Sequence, residues 1–177
     1  EPGFAAISWQ NPTPDASNSF TFQVLLNLPA EGLAAADSIP DLLNSAAGFA
    51  IQLQFQTATQ LSGVQVLLSN GCGGLQIAIE WAMLRVGRPG CDGESDEFVY
   101  AAEILQPHTE YVVGVQVVVG LVTLININSQ QMSAFPLGTA FSNPQPFVIA
   151  ADDFRGEDPF QGTVLQFLLF EGFEVRL

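Results

Sequence analysis

Lysine is absent from this sequence, and four arginines, Arg85, Arg88, Arg155 and Arg176, face eighteen aspartates and glutamates, giving a formal charge of −14. The absence of lysine excludes Schiff-base chemistry, covalent attachment of a retinal-like chromophore and a P-loop ammonium. The shortage of cations argues against nucleic acids and anionic membranes as partners, because sequence-independent affinity for both depends on clustered Lys and Arg. Histidine occurs once, at His108, and the two cysteines do not form a CxxC pair, so no zinc site is expected. The most apolar segments, 111–127 and 163–173, are interrupted by Gly, Gln, Glu or Asn. They fall short of the roughly 18 uninterrupted apolar residues of a membrane span. No glycosylation acceptor is present, since Asn11 is followed by Pro12.

What is present suits a chain that folds around its own core. A length of 177 residues fits a single domain, 1–177, and 48% of the residues are apolar against only 12% charged. Neutral Gln, Asn, Ser and Thr must therefore supply much of the polar surface, which carries little to protonate as the pH falls. Together with a sequence pI of 4.1, this composition points to an acidic or extracellular setting. The chain opens at Glu1-Pro2-Gly3-Phe4 without an initiator Met, from which removal of a leader, and hence secretion, is expected. Cys72 and Cys91 flank residues 73–90 and each stands beside glycine. A disulfide closing a hairpin end, worth about 3 kcal/mol in a chain-entropy account, is one reading; two free buried thiols are the other.

The periodicity is mostly two. Phe20 to Leu28 reads as a strand ending at Pro29, and Phe49 to Gln56 alternates apolar residues with glutamine, so that one face is buried and the other amide-rich. Further strands are expected at Gly63 to Ser69, Leu75 to Val86, Glu97 to Leu105, Glu110 to Val119 and Leu121 to Asn128, with Gly120 in the turn between the last two. Three more follow at Met132 to Leu137, Phe147 to Ala151 and Thr163 to Val175. About ten short strands with Gly, Pro and Asn punctuation predict an all-β fold, an antiparallel β-sandwich. The exception is Glu31 to Ala47, rich in Ala and Leu, where Asp37-Ser38 before Pro40 resembles a helix start and predicts one short inserted helix.

Candidate chemistry is sparse. Residues 92–97, Asp-Gly-Glu-Ser-Asp-Glu, could gather oxygen ligands for calcium, but without EF-hand spacing; a solvated charged loop is the simpler reading. Glu94 and Asp96 stand on alternate positions like the carboxylates of sandwich-fold glycosidases, yet Phe98 occupies the next such position. A nucleophilic triad would have to use His108, which lies in a turn between strands. Asp152 and Asp153 are adjacent, and adjacent residues on a strand point to opposite faces.

The order of several segments resembles the glutamic peptidases (eqolisins), a concanavalin A-like sandwich family whose catalytic pair is a glutamine and a glutamate. Gly63 to Gly71 resembles the glutamine-bearing strand, and Ile79-Glu80-Trp81 the Trp-x-Glu-Trp strand. Leu105 to Tyr111 with Gly120 to Asn128 resembles the proline- or glycine-led hairpin ending in Asn, and Pro146 to Phe154 the strand carrying the catalytic glutamate. The resemblance implies a concanavalin A-like jelly roll, with Gln65 matching the catalytic glutamine and Glu80 the second-strand glutamate. Pro146 then falls where the catalytic glutamate belongs, and Ala78 where a tryptophan precedes the second-strand glutamate. Proline cannot activate water, so the resemblance implies a relative with no catalytic residues.

These readings lead to three expectations. The first is a secreted, non-enzymatic binding protein holding a small organic ligand non-covalently, such as a pigment or other secondary metabolite, in a groove between Gln54, Gln65, Glu80 and Trp81. Fourteen phenylalanines would either line its cavity or simply fill the core. The second is a lectin-like carbohydrate-binding module, which would exploit exposed aromatics; Trp9, Trp81, Tyr100 and Tyr111 are the ones available. The third is an acid-acting peptidase or glycosidase pairing Glu80 with Asp152 or Asp153. Segment 163–173 could pair between subunits in a homo-oligomer, although a strand at the centre of a sheet would read the same way.

Overall fold

The computed structural model describes residues 20–29, 33–34, 49–69, 71–118, 122–128, 130–135, 148–149 and 157–171. They form β1 (Phe20–Pro29), β2 (Leu33–Ala34), β3 (Phe49–Gln56), β4 (Val64–Ser69), β5 (Gln76–Glu80), β6 (Met83–Arg88) and β7 (Glu97–Ile104). These are followed by β8 (Glu110–Val118), β9 (Val122–Ile127), β10 (Gln130–Phe135), β11 (Val148–Ile149), β12 (Asp158–Pro159) and β13 (Thr163–Glu171). One sheet runs β1-β13-β3-β8-β9-β10; the other runs β2-β11-β4-β5-β6-β7, with β12 added to β4. All pairings are antiparallel except the two-residue ladder of β12 with β4, so the described fold is an antiparallel β-sandwich.

The alternation in β3 sets one wall of the core. Ile51, Leu53 and Phe55 are buried while Gln52 and Gln54 are half-exposed and Gln56 is exposed, as period-two patterning requires of a sheet with one wet face. The register places Tyr111, Val113 and Val115 of β8 beside the same three residues, on the buried face. From the second sheet come Ile77 and Ile79 of β5 with Leu84 and Val86 of β6, all fully buried. The sheets meet at Phe55 and Phe160, whose rings pack edge-on with centroids 5.5 Å apart.

At the level of elements one expectation changes, one falls mostly outside the described residues and one open alternative is decided. Leu75 to Val86 is a hairpin, β5 and β6, turning at Trp81-Ala82. Within the expected helix of 31–47, Leu33 and Ala34 are strand β2, paired with β11; no helix occurs among the described residues, and 35–47 lies outside them. Segment 163–171 is an inner strand: β13 pairs with β1 on one side and β3 on the other, which satisfies both of its ladders within the chain. Cys72 and Cys91 are disulfide-bonded with Cα atoms 4.9 Å apart. The bond joins the connections on either side of the β5–β6 hairpin, at the end opposite the Trp81 turn, where Gly73 N also donates to Pro89 O at 2.7 Å.

Candidate functional site

Cross-strand partners share a face and successive residues alternate, so the ladders decide which side chains meet. On β5 the core side takes Ile77 and Ile79, which leaves Gln76, Ala78 and Glu80 on the opposite face. Arg85 of β6 lies beside Ala78 on that face, Tyr100 of β7 beside Arg85, and Phe98 beside Gly87. A Cβ on Gly87 would run into Glu97 O and lie 2.8 Å from Phe98 Cα, so glycine is what lets β7 approach here. The approach brings the Phe98 ring over the guanidinium of Arg85, 4.2 Å from its centroid.

Arg85 is only 4% exposed, and a buried cation must be paired. Its Nη1 donates to Glu80 Oε2 at 3.1 Å; its Nη2 donates to Gln76 Oε1 at 2.5 Å and to both carboxylate oxygens of Glu157 at 3.0 and 3.1 Å. Gln76 Nε2 closes the ring by donating to Glu157 Oε2 at 3.1 Å. Two carboxylates thus surround one guanidinium. Tyr100 OH donates to Glu80 Oε2 at 2.6 Å. Its pKa is raised above the usual tyrosine value by partial burial first and by the Glu80 carboxylate second.

The two Glu80 bonds converge on Oε2. Among the described residues Oε1 takes none, on a side chain that is 22% exposed. Beside it the chain turns through Trp81 and Ala82 with φ of 50° and 64°, both in the left-handed region that side chains with a Cβ avoid. The turn is tied down by Trp81 N donating to Gly63 O at 3.0 Å and by Leu105 N donating to Ala82 O at 2.8 Å. Trp81 is 66% exposed and Tyr100 39%, with exposed Ile104 opposite Met83 on the next strand. A partly exposed carboxylate with one oxygen engaged by Arg85 and Tyr100, next in the chain to exposed Trp81, can accept hydrogen bonds where accessible aromatic side chains offer faces for stacking.

Of the four residues expected to share a groove, only Glu80 and Trp81 meet here. Gln65 pairs with Ile79 and so turns to the core side of its sheet, where it is 2% exposed; its Nε2 donates to Gln60 O at 2.9 Å and its Oε1 accepts from Gln161 N at 3.5 Å. Gln54 is in the other sheet, on the face away from the core, with Nε2 donating to Glu110 Oε1 at 2.5 Å. Gln65 and Glu80 therefore lie on opposite faces of one sheet. Asp152, Asp153, Pro146 and Trp9 lie outside the described residues. His108 is exposed in the β7–β8 turn with φ of 53°.

Loop 92–97 also resolves into named partners. Glu94 Oε2 accepts from Arg88 Nη1 at 3.0 Å, Glu97 lies 3.8 Å from Arg88 Nη2, and Asp96 Oδ1 accepts from Gly90 N at 2.9 Å. Among the described residues no group of three or more His, Cys, Asp or Glu side chains is arranged to hold a metal ion. Arg85, Gln76, Tyr100 and Glu157 were not expected to act together. The signal for Arg85 was present, as a cation at an inner position of an otherwise apolar strand, but its partners come from β5 and from residue 157 and cannot be paired without the topology.

No family model matches the sequence, and no curated relative does either. Solved structures do resemble the fold. The Ruminococcus gnavus IT-sialidase CBM40 bound to α2,6-sialyllactose superposes with a TM-score of 0.66 at 11% identity, over 86% of this chain and 93% of that one. A botulinum neurotoxin type C structure, described as entering cells through interaction with two ganglioside molecules, gives 0.60 at 12% identity over 95% of this chain and 42% of that one. NanB with Optactamide gives 0.67 at 11% identity over 86% and 26%. At such identities the likeness is one of fold, a β-sandwich of the kind found in carbohydrate-binding modules. None of these three is a glutamic peptidase.

Proposed function

We propose that this chain is a secreted, lectin-like carbohydrate-binding module, a single domain over residues 1–177, whose site is the end of the β5–β6 hairpin around Glu80, Trp81 and Tyr100. The observation that carries this reading is the exposure of Trp81 and Tyr100 next to a partly exposed carboxylate that has only one oxygen bonded among the described residues. Sugars present C–H faces and hydroxyl donors, which Trp81 or Tyr100 and Glu80 Oε1 complement. The sandwich fold shared with a sialyllactose-bound module supports the class of ligand, and the disulfide supports an extracellular setting.

The pigment-binding expectation has less behind it. Phe55, Phe160 and Phe167 are fully buried, which accounts for these three as core. The hydrolase expectation pairs Glu80 with Asp152 or Asp153, which lie outside the described residues, and one oxygen of Glu80 is engaged by Arg85.

A glycan array followed by calorimetry on the best hit tests the proposal. Trp81→Ala should weaken binding by about two- to tenfold, in line with an aromatic contact of about 0.5–1.5 kcal/mol. Unchanged affinity would remove Trp81 from the site, and an array without hits would remove the function.

A further inference from the structure

The site's charge narrows the ligand. We propose that the Glu80 site selects uncharged or cationic sugars and discriminates against sialylated and other anionic glycans; this rests on the carbohydrate-binding reading above.

A carboxylate or sulfate on a sugar is bound most strongly by a guanidinium or ammonium with donors to spare, since charge-assisted and bidentate contacts to a cation are the strongest available. There is no lysine in the chain. Arg85 carries Glu80 on one side and Glu157 on the other, and Arg88 carries Glu94 and Glu97, so both described arginines are already engaged by carboxylates. Among the described residues the Nε of Arg85 has no hydrogen-bond partner, but it is fully buried, away from a ligand on the surface. What the rim presents instead is Glu80 Oε1, an acceptor that bonds a hydroxyl or an ammonium and repels a second carboxylate. A chain charge of −14 adds long-range repulsion of the same sign.

The test compares matched ligands on the same protein: lactose with α2,6-sialyllactose, and the trimer of N-acetylglucosamine with the trimer of glucosamine, each within a full array. Lactose should bind at least tenfold more tightly than α2,6-sialyllactose, and the glucosamine trimer at least as tightly as the trimer of N-acetylglucosamine. Raising the ionic strength to about 1 M, where the Debye length is about 3 Å, should shrink that ratio without any change of sequence. Glu80→Gln, which leaves Arg85 with one carboxylate, should shift the ratio towards the sialylated ligand. Equal or tighter binding of sialyllactose by the wild type would overturn the selectivity while leaving the carbohydrate-binding reading intact. A ratio indifferent to salt would also overturn its electrostatic basis. Failure of every glycan to bind would overturn both.

Discussion

Arg85 shows how much of this molecule turns on single side chains. It is buried, it is bridged by Glu80, Gln76 and Glu157, and it engages one oxygen of the partly exposed Glu80 carboxylate. Breaking a buried pair by removing one partner costs about 3–5 kcal/mol, because the remaining charges lose their compensation. Arg85→Met should therefore lower the unfolding free energy by roughly that amount in urea titrations. A loss well under 1 kcal/mol would mean that the carboxylates are solvated rather than held. Tyr100 gives a second test at this scale. Its raised pKa favours the neutral phenol in the fold, so the native state holds the proton more tightly than the unfolded state does. Its stabilising contribution is complete below about pH 10 and is lost as the pH rises through the folded-state value. An ultraviolet titration should show a tyrosine ionising above the normal range, and Tyr100→Phe should remove that transition. Ionisation of Tyr100 at or below the normal value would contradict the Glu80 contact. At this scale the sequence was partly legible. Glu80 and Trp81 stand together because they are neighbours in the chain, whereas Gln65 was misplaced because its face is decided by its register against Ile79.

The strands were the legible elements, and the turns were less so. Phe49–Gln56 is bounded by its own alternation, and its glutamines mark the wet face without help from any other segment. The β5–β6 hairpin was hidden because its two turn residues, Trp81 and Ala82, are not the Asn-Gly or Asp-Gly that a two-residue turn with positive φ normally uses. Leu33–Ala34 belong to the Ala- and Leu-rich segment 31–47 but precede the helix start expected at Asp37-Ser38; they pair with β11, and the rest of that segment lies outside the described residues. Non-glycine residues in the left-handed region cost about 1–2 kcal/mol each and are retained where function needs them. Replacing Trp81-Ala82 by Asn-Gly should therefore raise the unfolding free energy by about 1–2 kcal/mol or more while reducing glycan binding, a separation that thermal melts and calorimetry on the same sample would reveal. A variant that binds as well as the wild type would show that the tryptophan takes no part in the site.

For the whole molecule, the all-β sandwich and the disulfide were within reach of the sequence, since both follow from local patterns: period-two strands, Gly-flanked cysteines and a length that can enclose a core. The disulfide closes the hairpin at the end away from Trp81, so its removal should act on stability rather than on the site. Cys72→Ala with Cys91→Ala should cost about 3 kcal/mol, measured by denaturant unfolding, and leave the affinity of the folded protein within about twofold. A collapse of affinity in the folded variant would tie the two ends of the hairpin together.

The central claim is that sugar binds at the end of the seven-stranded sheet around Glu80. The most direct test is a map of backbone amide shifts while the best array hit is titrated in. Saturable changes should concentrate at residues 80–85 and 98–105, on the Trp81 turn and on β7. Saturable changes confined to the glutamine-rich face of the six-stranded sheet, around Gln52, Gln54 and Gln56, would contradict it.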